Sequence, residues 1–487
     1  MIWTVLLLAL VLLLCFIVPR RTRSKTEPPL DKGVVPWLGH ALEFGKDASK
    51  FLARMRQKHG DIFTVCVAGH YVTVLLDPHS YDAVLNDSGS LDFTRYAEVL
   101  MDRIFNLRLS HQLTAKAKVI MKQHFQGMNF ASLNAMMRKH LRALLTAEMP
   151  ENEKDWKEDG LFNFSYRVLF KAGYLTLFGG EQNNNNTDPS SVYEEYRRFD
   201  QLLTKLARGT LKAGEKREAQ SVKQRLWEFL AQAGACRTED SDTSPWLHAY
   251  RRLLQDNGTD EEMERRAVLM QLWATQGNAG PAAFWLLGFL LTHPDAMDAV
   301  KAELSGVTQM DLREGPPLGL STPVFDSALE ETLRLTAAPF ITREVLQQKT
   351  IHMADGKEYQ LRKGDRLVLF PFNSPQMDPE VHHEPQKFKY DRFLKEDGSA
   401  KTEFYKGGRR LKHFTMPWGA GTNGCVGRQF AINTIRQFVY MILTEFELRL
   451  CDPRAQMPEV DPGRYGFGML QPQGDVLVTY TAKTEAS

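Results

Sequence analysis

Cys425 is framed for chemistry by its neighbours. In Pro417-Trp418-Gly419-Ala420-Gly421-Thr422-Asn423-Gly424-Cys425-Val426-Gly427-Arg428, four glycines surround one thiol just ahead of a segment with apolar helical periodicity. Glycine lets backbone approach a flat ligand and adopt positive φ, and a helix N-terminus stabilises a thiolate through its free N–H groups. Held this way, a thiolate suits an axial position on iron, where its electron donation favours O–O cleavage. The other reading is a buried structural thiol in a tight turn. A second pattern is Glu331-Thr332-Leu333-Arg334, whose i,i+3 spacing puts a carboxylate and a guanidinium on one helix face. A third is Trp273-Ala274-Thr275-Gln276-Gly277-Asn278-Ala279-Gly280-Pro281-Ala282-Ala283-Phe284-Trp285, an apolar helical stretch interrupted by two glycines and a proline. Such breakers open the backbone ladder around Asn278; the alternative is glycine used for helix packing beside a surface asparagine.

The elements that must position these residues are mostly helical. Apolar residues at helical period mark 133–149, 191–207, 222–232, 261–291, 323–336 and 429–448. Ile62 to Ala68 and Tyr71 to Leu76 are β-rich and separated by Gly69-His70, which predicts a hairpin; 366–370 and 476–481 are further strands. Glu181 to Pro189 reads as a polar surface loop. The 487 residues carry 61 Lys+Arg against 59 Asp+Glu, a formal charge of +2 that argues against a nucleic-acid partner. Five cysteines without a CxxC pair disfavour a disulfide framework or a closed zinc site, leaving each to be judged singly.

At the N-terminus, Ile2 to Val18 is uncharged and holds nine leucines or isoleucines in 17 positions, the short end of a bilayer-spanning helix. No basic region precedes it and no small-x-small cleavage site follows, so an uncleaved anchor is expected rather than a signal peptide. Arg20, Arg21, Arg23 and Lys25 then keep the remainder on the cytosolic side. The sequons at Asn86, Asn163, Asn185 and Asn257 are accordingly expected to stay unglycosylated. The expected organisation is an anchor over 1–19, a basic, proline-rich hinge over 20–39 and one large catalytic domain over 40–487.

The cysteine loop resembles the haem-binding signature of the cytochrome P-450 family, Phe-x-x-Gly-x-x-x-Cys-x-Gly, with Trp418 in the Phe place and Gly421, Cys425 and Gly427 matching. Glu331 and Arg334 resemble the family's Glu-x-x-Arg, and Arg392 would complete its buried ion network. The resemblance covers the chain from the anchor to the last strand. It implies a mainly α fold with a smaller β part, a single haem-binding domain behind a transmembrane helix, and haem b (iron protoporphyrin IX) with Cys425 as axial ligand. It also implies that Arg343 meets a haem propionate, that Lys118 is a second cationic position, and that Asn423 stands where an arginine is common.

Family members typically carry an acid–alcohol pair that relays protons to bound oxygen; here Gly277 and Asn278 fall in those places. These departures, with the cysteine loop and Arg464-Tyr465-Gly466-Phe467-Gly468-Met469-Leu470-Gln471-Pro472, are most similar to an endoperoxide isomerase of the family, in a branch that also holds the sterol 12α- and 7α-hydroxylases. The implied activity is rearrangement of a lipid endoperoxide, prostaglandin H2, on the endoplasmic reticulum membrane without electrons, dioxygen or a redox partner. Asn278 would orient the substrate, and Trp273, Gly277, Phe284 and Leu470 would shape its pocket. The alternative is a sterol hydroxylase drawing electrons from a reductase docked on Lys401, Lys406, Arg409, Arg410, Lys412 and Arg428, which otherwise form a solvated basic loop. A third is a haem sensor without turnover.

Overall fold

Two strands, β1 (Ile62–Val67) and β2 (His70–Leu75), pair antiparallel with Thr64 opposite Thr73. The turn falls at Ala68-Gly69, with φ of 47° and 80° respectively, one residue earlier than the sequence suggested. Positive φ at both positions matches the right-handed twist of the flanking strands. A six-stranded sheet grows from this hairpin, in the order Leu30–Asp31, β1, β2, β4 (Arg366–Leu369), β3 (Ile341–Val345) and Leu91–Asp92. Strand β3 runs antiparallel to β4 with Arg343 opposite Leu367, which aims the 339–343 segment at the helical body.

The computed structural model describes residues 21–149, 155–179, 188–232, 244–305 and 321–483. The apolar run Ile2 to Val18 and most of the tract Glu181 to Pro189 lie outside these residues. Among the described residues no helix is long and apolar enough to cross a membrane. The expected hinge is tied down where it is described: Arg21 donates to Asp365 at 2.7 and 2.8 Å, Leu30–Asp31 joins the sheet, and Gly39 bridges to Val67.

The fold is mainly helical with the smaller sheet part at one side. The helices that carry the argument are α1 (His111–His124), α2 (Leu161–Phe178), α3 (Pro189–Arg208), α4 (Glu261–Gln276), α5 (Ala279–Thr292), α6 (Pro323–Thr336) and α7 (Arg428–Glu445). Helix α5 is apolar all round because it is packed all round, against α2, α6 and α7. The predicted single helix over 261–291 is interrupted at Gly277-Asn278, and sterics explain the break. Pro281 has no N–H to give the Gly277 carbonyl four residues earlier, and the Tyr166 hydroxyl of α2 reaches that oxygen at 3.4 Å instead. Gly280 is there because α2 lies against it: a Cβ would stand 2.4 Å from the Tyr166 ring.

Glu331 of α6 is wholly buried and bracketed by two guanidinium groups. Arg334 donates to it at 2.7 and 2.8 Å through Nε and Nη2, and Arg392 Nε donates at 2.9 and 2.8 Å. Arg334 Nη1 continues to the Gln376 carbonyl at 2.6 Å, so the network staples α6 to the irregular segment that leads into the cysteine loop. A buried pair of this kind organises the backbone around it more than it adds net stability.

Candidate functional site

The N-terminal end of α5, the 339–343 segment, the cysteine loop and the turn at Gly468-Met469 converge on one partly open cleft. Cys425, Arg343, Asn423 and Asn278 all line it; the walls between are apolar, from Ala279, Ala282, Leu333, Phe340, Ile341 and Ile435. The Cys425 N–H donates to the Trp418 carbonyl at 2.9 Å, folding the loop back on itself before α7 begins at Arg428. Gly421 takes φ of +66°, and a Cβ there would sit 3.2 Å from the Leu85 carbonyl, so its glycine serves close backbone packing behind the loop. Gly427 is the N-cap of α7 with open space at its Cβ position. The Cys425 thiol opens on the cleft, yet the surrounding protein raises its pKa, against the opposing pull of the Gly427 N–H and Arg428.

The charges around the cleft are arranged for an anion. Arg343 is 3% exposed, and its Nη1 donates to the Thr342 carbonyl at 2.9 Å. Burial lowers its pKa, with Asp92 acting the other way. Lys118 of α1 donates to the Thr422 carbonyl of the cysteine loop, and its pKa is lowered by burial and then by the charge of Arg343. The charge of Arg343 thus acts on Lys118, and among the described residues neither has a carboxylate within ion-pair distance. Like charges held together in a partly buried place call for a counter-anion. A thiol, flat apolar walls and paired cations fit an iron porphyrin with two propionates, so the residues present suit a haem.

Also lining the cleft are Asn278 and Met469, and the Met469 N–H donates to Asn278 Oδ1 at 3.0 Å. An N–H donor can be met only by the amide oxygen, which fixes the orientation of the side chain and leaves its –NH2 as the group available to the cleft. The turn passes so close that a Cβ at Gly468, where φ is +93°, would lie 2.6 Å from Asn278 Oδ1.

The other expected pocket residues lie elsewhere. Phe284 is core, ringed by Phe162 and Trp285, and Leu470 is core with its carbonyl accepting from Trp285 Nε1 at 2.8 Å. Trp273 packs on Phe105 of the neighbouring helix, and Gly277 backs on the Tyr196 hydroxyl. In their place Phe93, Phe340 and Met469 line the cleft. These have no motif of their own, and only the strand-to-turn geometry brings them there. Of the basic loop, Lys406 is paired with Asp378 at 2.7 Å, Lys412 with Asp82 at 2.8 Å and Arg410 with Glu403 at 3.1 Å.

Comparison with known proteins matches residues 28–478 to the family described as Cytochrome P450. The chain is 51% identical over 479 residues to "Prostacyclin synthase" of Rattus norvegicus, covering 95% of each chain. It is 50% identical over 475 residues to "Prostacyclin synthase" of Homo sapiens, covering 94% of this chain and 95% of that one. It is 40% identical to "7-alpha-hydroxycholest-4-en-3-one 12-alpha-hydroxylase" of Homo sapiens over 475 residues, covering 94% of each.

Proposed function

The chain belongs to the cytochrome P450 family, and from that premise we propose that it is an isomerase converting prostaglandin H2 to prostacyclin, without external electrons or dioxygen. The observation that carries this reading is the identity of 51% and 50% over nearly the whole chain with the prostacyclin synthases of Rattus norvegicus and Homo sapiens, against 40% with the 12-alpha-hydroxylase, and the setting of Asn278 agrees with it. Asn278 lines the same cleft as Cys425, at the position where the family resemblance puts the proton relay, and with its oxygen engaged by the Met469 N–H it has its –NH2 donors left to offer. In this reading Cys425 would hold the iron of haem b, Arg343 and Lys118, with Asn423 beside them, would hold its propionates, and Gly421 and Gly427 shape the loop. The haem, when bound, supplies an iron centre able to cleave an O–O bond with thiolate donation.

The chain's own contribution follows from the substrate's chemistry. An endoperoxide has acceptor oxygens and no donors, so the Asn278 –NH2 group is complementary to it. In the rearrangement one O–O bond breaks, one C–O bond forms to the side-chain double bond, and one hydrogen passes from carbon to the freed oxygen. Nothing is consumed, and no relay to solvent is required. Asn278 neither takes nor gives a proton at neutral pH; it holds the reacting oxygens against the thiolate side of the cleft while the apolar walls exclude water.

We place the enzyme on the endoplasmic reticulum membrane, with 1–19 as anchor, 20–39 as the connecting segment and 40–487 facing the cytosol. The uncharged Ile2 to Val18 run followed by four basic residues supports this. The test of function is purified, haem-loaded protein given prostaglandin H2 with neither NADPH nor reductase. Prostacyclin should form rapidly. Inertness toward the endoperoxide, combined with NADPH-dependent oxidation of a sterol, would establish the hydroxylase reading instead.

A further inference from the structure

The turn that fixes Asn278 is itself closed by a single buried carboxylate. Asp200 of α3 is 1% exposed and receives donors from both ends of the segment 464–471. At one end, Arg464 Nη1 reaches Oδ1 at 3.0 Å and Nη2 reaches Oδ2 at 2.8 Å; Nη2 also donates to the Asp200 backbone carbonyl at 2.9 Å. At the other, Gln471 Nε2 reaches the same Oδ2 at 2.8 Å. Arg197, one turn back on α3, adds a bond to Oδ2 at 3.0 Å while its guanidinium lies 4.7 Å over the Tyr166 ring, the ring whose hydroxyl meets the Gly277 carbonyl.

The arc between Arg464 and Gln471 is also stitched to the 336–338 segment. Leu470 N donates to the Thr336 carbonyl at 2.8 Å, and Ala338 N donates to the Gly468 carbonyl at 2.9 Å. Those bonds fix one edge of the arc. The clamp at Asp200 fixes its two feet, and the Met469 N–H that meets Asn278 lies between them. Gly466 and Gly468, with φ of +98° and +93°, give the arc no side-chain bulk of its own to hold its shape.

We propose that Asp200 is a positioning residue for Asn278. By joining Arg464 to Gln471 it holds the Met469 N–H on Asn278 Oδ1 and so keeps the amide –NH2 directed to the substrate. Its consequence for turnover rests on the endoperoxide reading given above; its consequence for the Met469 amide does not.

The experiment is a double-mutant cycle between Asp200→Asn and Asn278→Ala in the full-length haem protein. It is read by hydrogen exchange at the Met469 amide and by the spectral titration of a stable endoperoxide analogue. Asn278→Ala removes the acceptor, and Asp200→Asn leaves the Arg464 guanidinium with only the more distant Asp461 carboxylate at 4.0 Å, so each should speed Met469 exchange and weaken the analogue by about tenfold. The double variant should be no worse than the worse single variant, because both act through one contact. Unchanged Met469 exchange in Asp200→Asn, or effects that multiply in the double variant, would overturn the proposal. If Asp200→Asn does not accumulate as folded protein, Gln471→Met releases one foot of the arc and should give the same direction of change, about threefold. Wild-type protein inert toward prostaglandin H2 would refute the enzymatic reading alone, since the exchange measurement needs no substrate.

Discussion

At the scale of single residues, the site depends on the polarity of one amide. Asn278 lines the cleft and meets a backbone N–H with its oxygen, which leaves its nitrogen as the group available for donation. Asn278→Asp keeps the acceptor for Met469 and replaces the two N–H donors by a carboxylate oxygen that would face acceptor oxygens. The expected outcome is a loss of kcat/KM for prostaglandin H2 of about 10²-fold, with the carbon monoxide spectrum of the thiolate-ligated haem unchanged. Equal activity of the two side chains would show that donation from Asn278 contributes nothing. Cys425 is legible at this scale because its glycine-flanked motif points to it, and Arg343 only through the family resemblance. Phe93 and Phe340 were not, since an aromatic in a strand or turn reads as core until the fold shows which face is open.

At the scale of elements, what was legible depended on whether an element has two kinds of face. Helix α6 runs over Pro323–Thr336, the same residues that periodicity marks, because one face is apolar and the proline opens its first turn. Helix α2 was missed: buried on nearly every side, Leu161–Phe178 has no polar stripe to reveal its period. The helix over 261–291 was read as one piece with breakers inside it, and the structure divides it where Pro281 withholds its N–H. Gly280 tests that division. Gly280→Ala would put a methyl group 2.4 Å from the Tyr166 ring. It should destabilise the protein by about 1–3 kcal/mol, read as a lower denaturation midpoint at unchanged m-value, even though alanine is the better helix former. A gain in stability would show that helix propensity, not the packing of α2 on α5, governs the position.

At the scale of the whole molecule, acid stability should report a histidine far from the cleft. His382 is 1% exposed among Phe393, Phe404 and Leu411, with Nε2 at 3.0 Å from the Phe414 carbonyl. Burial pushes its pKa down to about 3, the Phe414 carbonyl acting against this and the Arg334 and Arg392 charges acting with it. The folded pKa lies below the unfolded one, so the unfolded chain binds the extra proton as pH falls. His382 therefore leaves stability untouched above about pH 6.5 and costs several kcal/mol progressively toward pH 3. His382→Gln should flatten that part of the stability–pH curve while keeping a donor for the Phe414 carbonyl. An unaltered slope in chemical denaturation between those pH values would assign the acid sensitivity to other groups.

The charge of Arg343 acting on Lys118 reaches beyond catalysis to how the protein folds. A chain that folds with these two cations close enough to interact, and Asp92 offsetting only Arg343, carries a repulsion that a bound dianion would relieve and that the unfolded chain does not have. Binding of the porphyrin then acts as a folding ligand, drawing the equilibrium toward the native state in proportion to its free concentration. The porphyrin-loaded protein should therefore withstand more denaturant than the same chain without porphyrin, by a margin that grows with free porphyrin concentration.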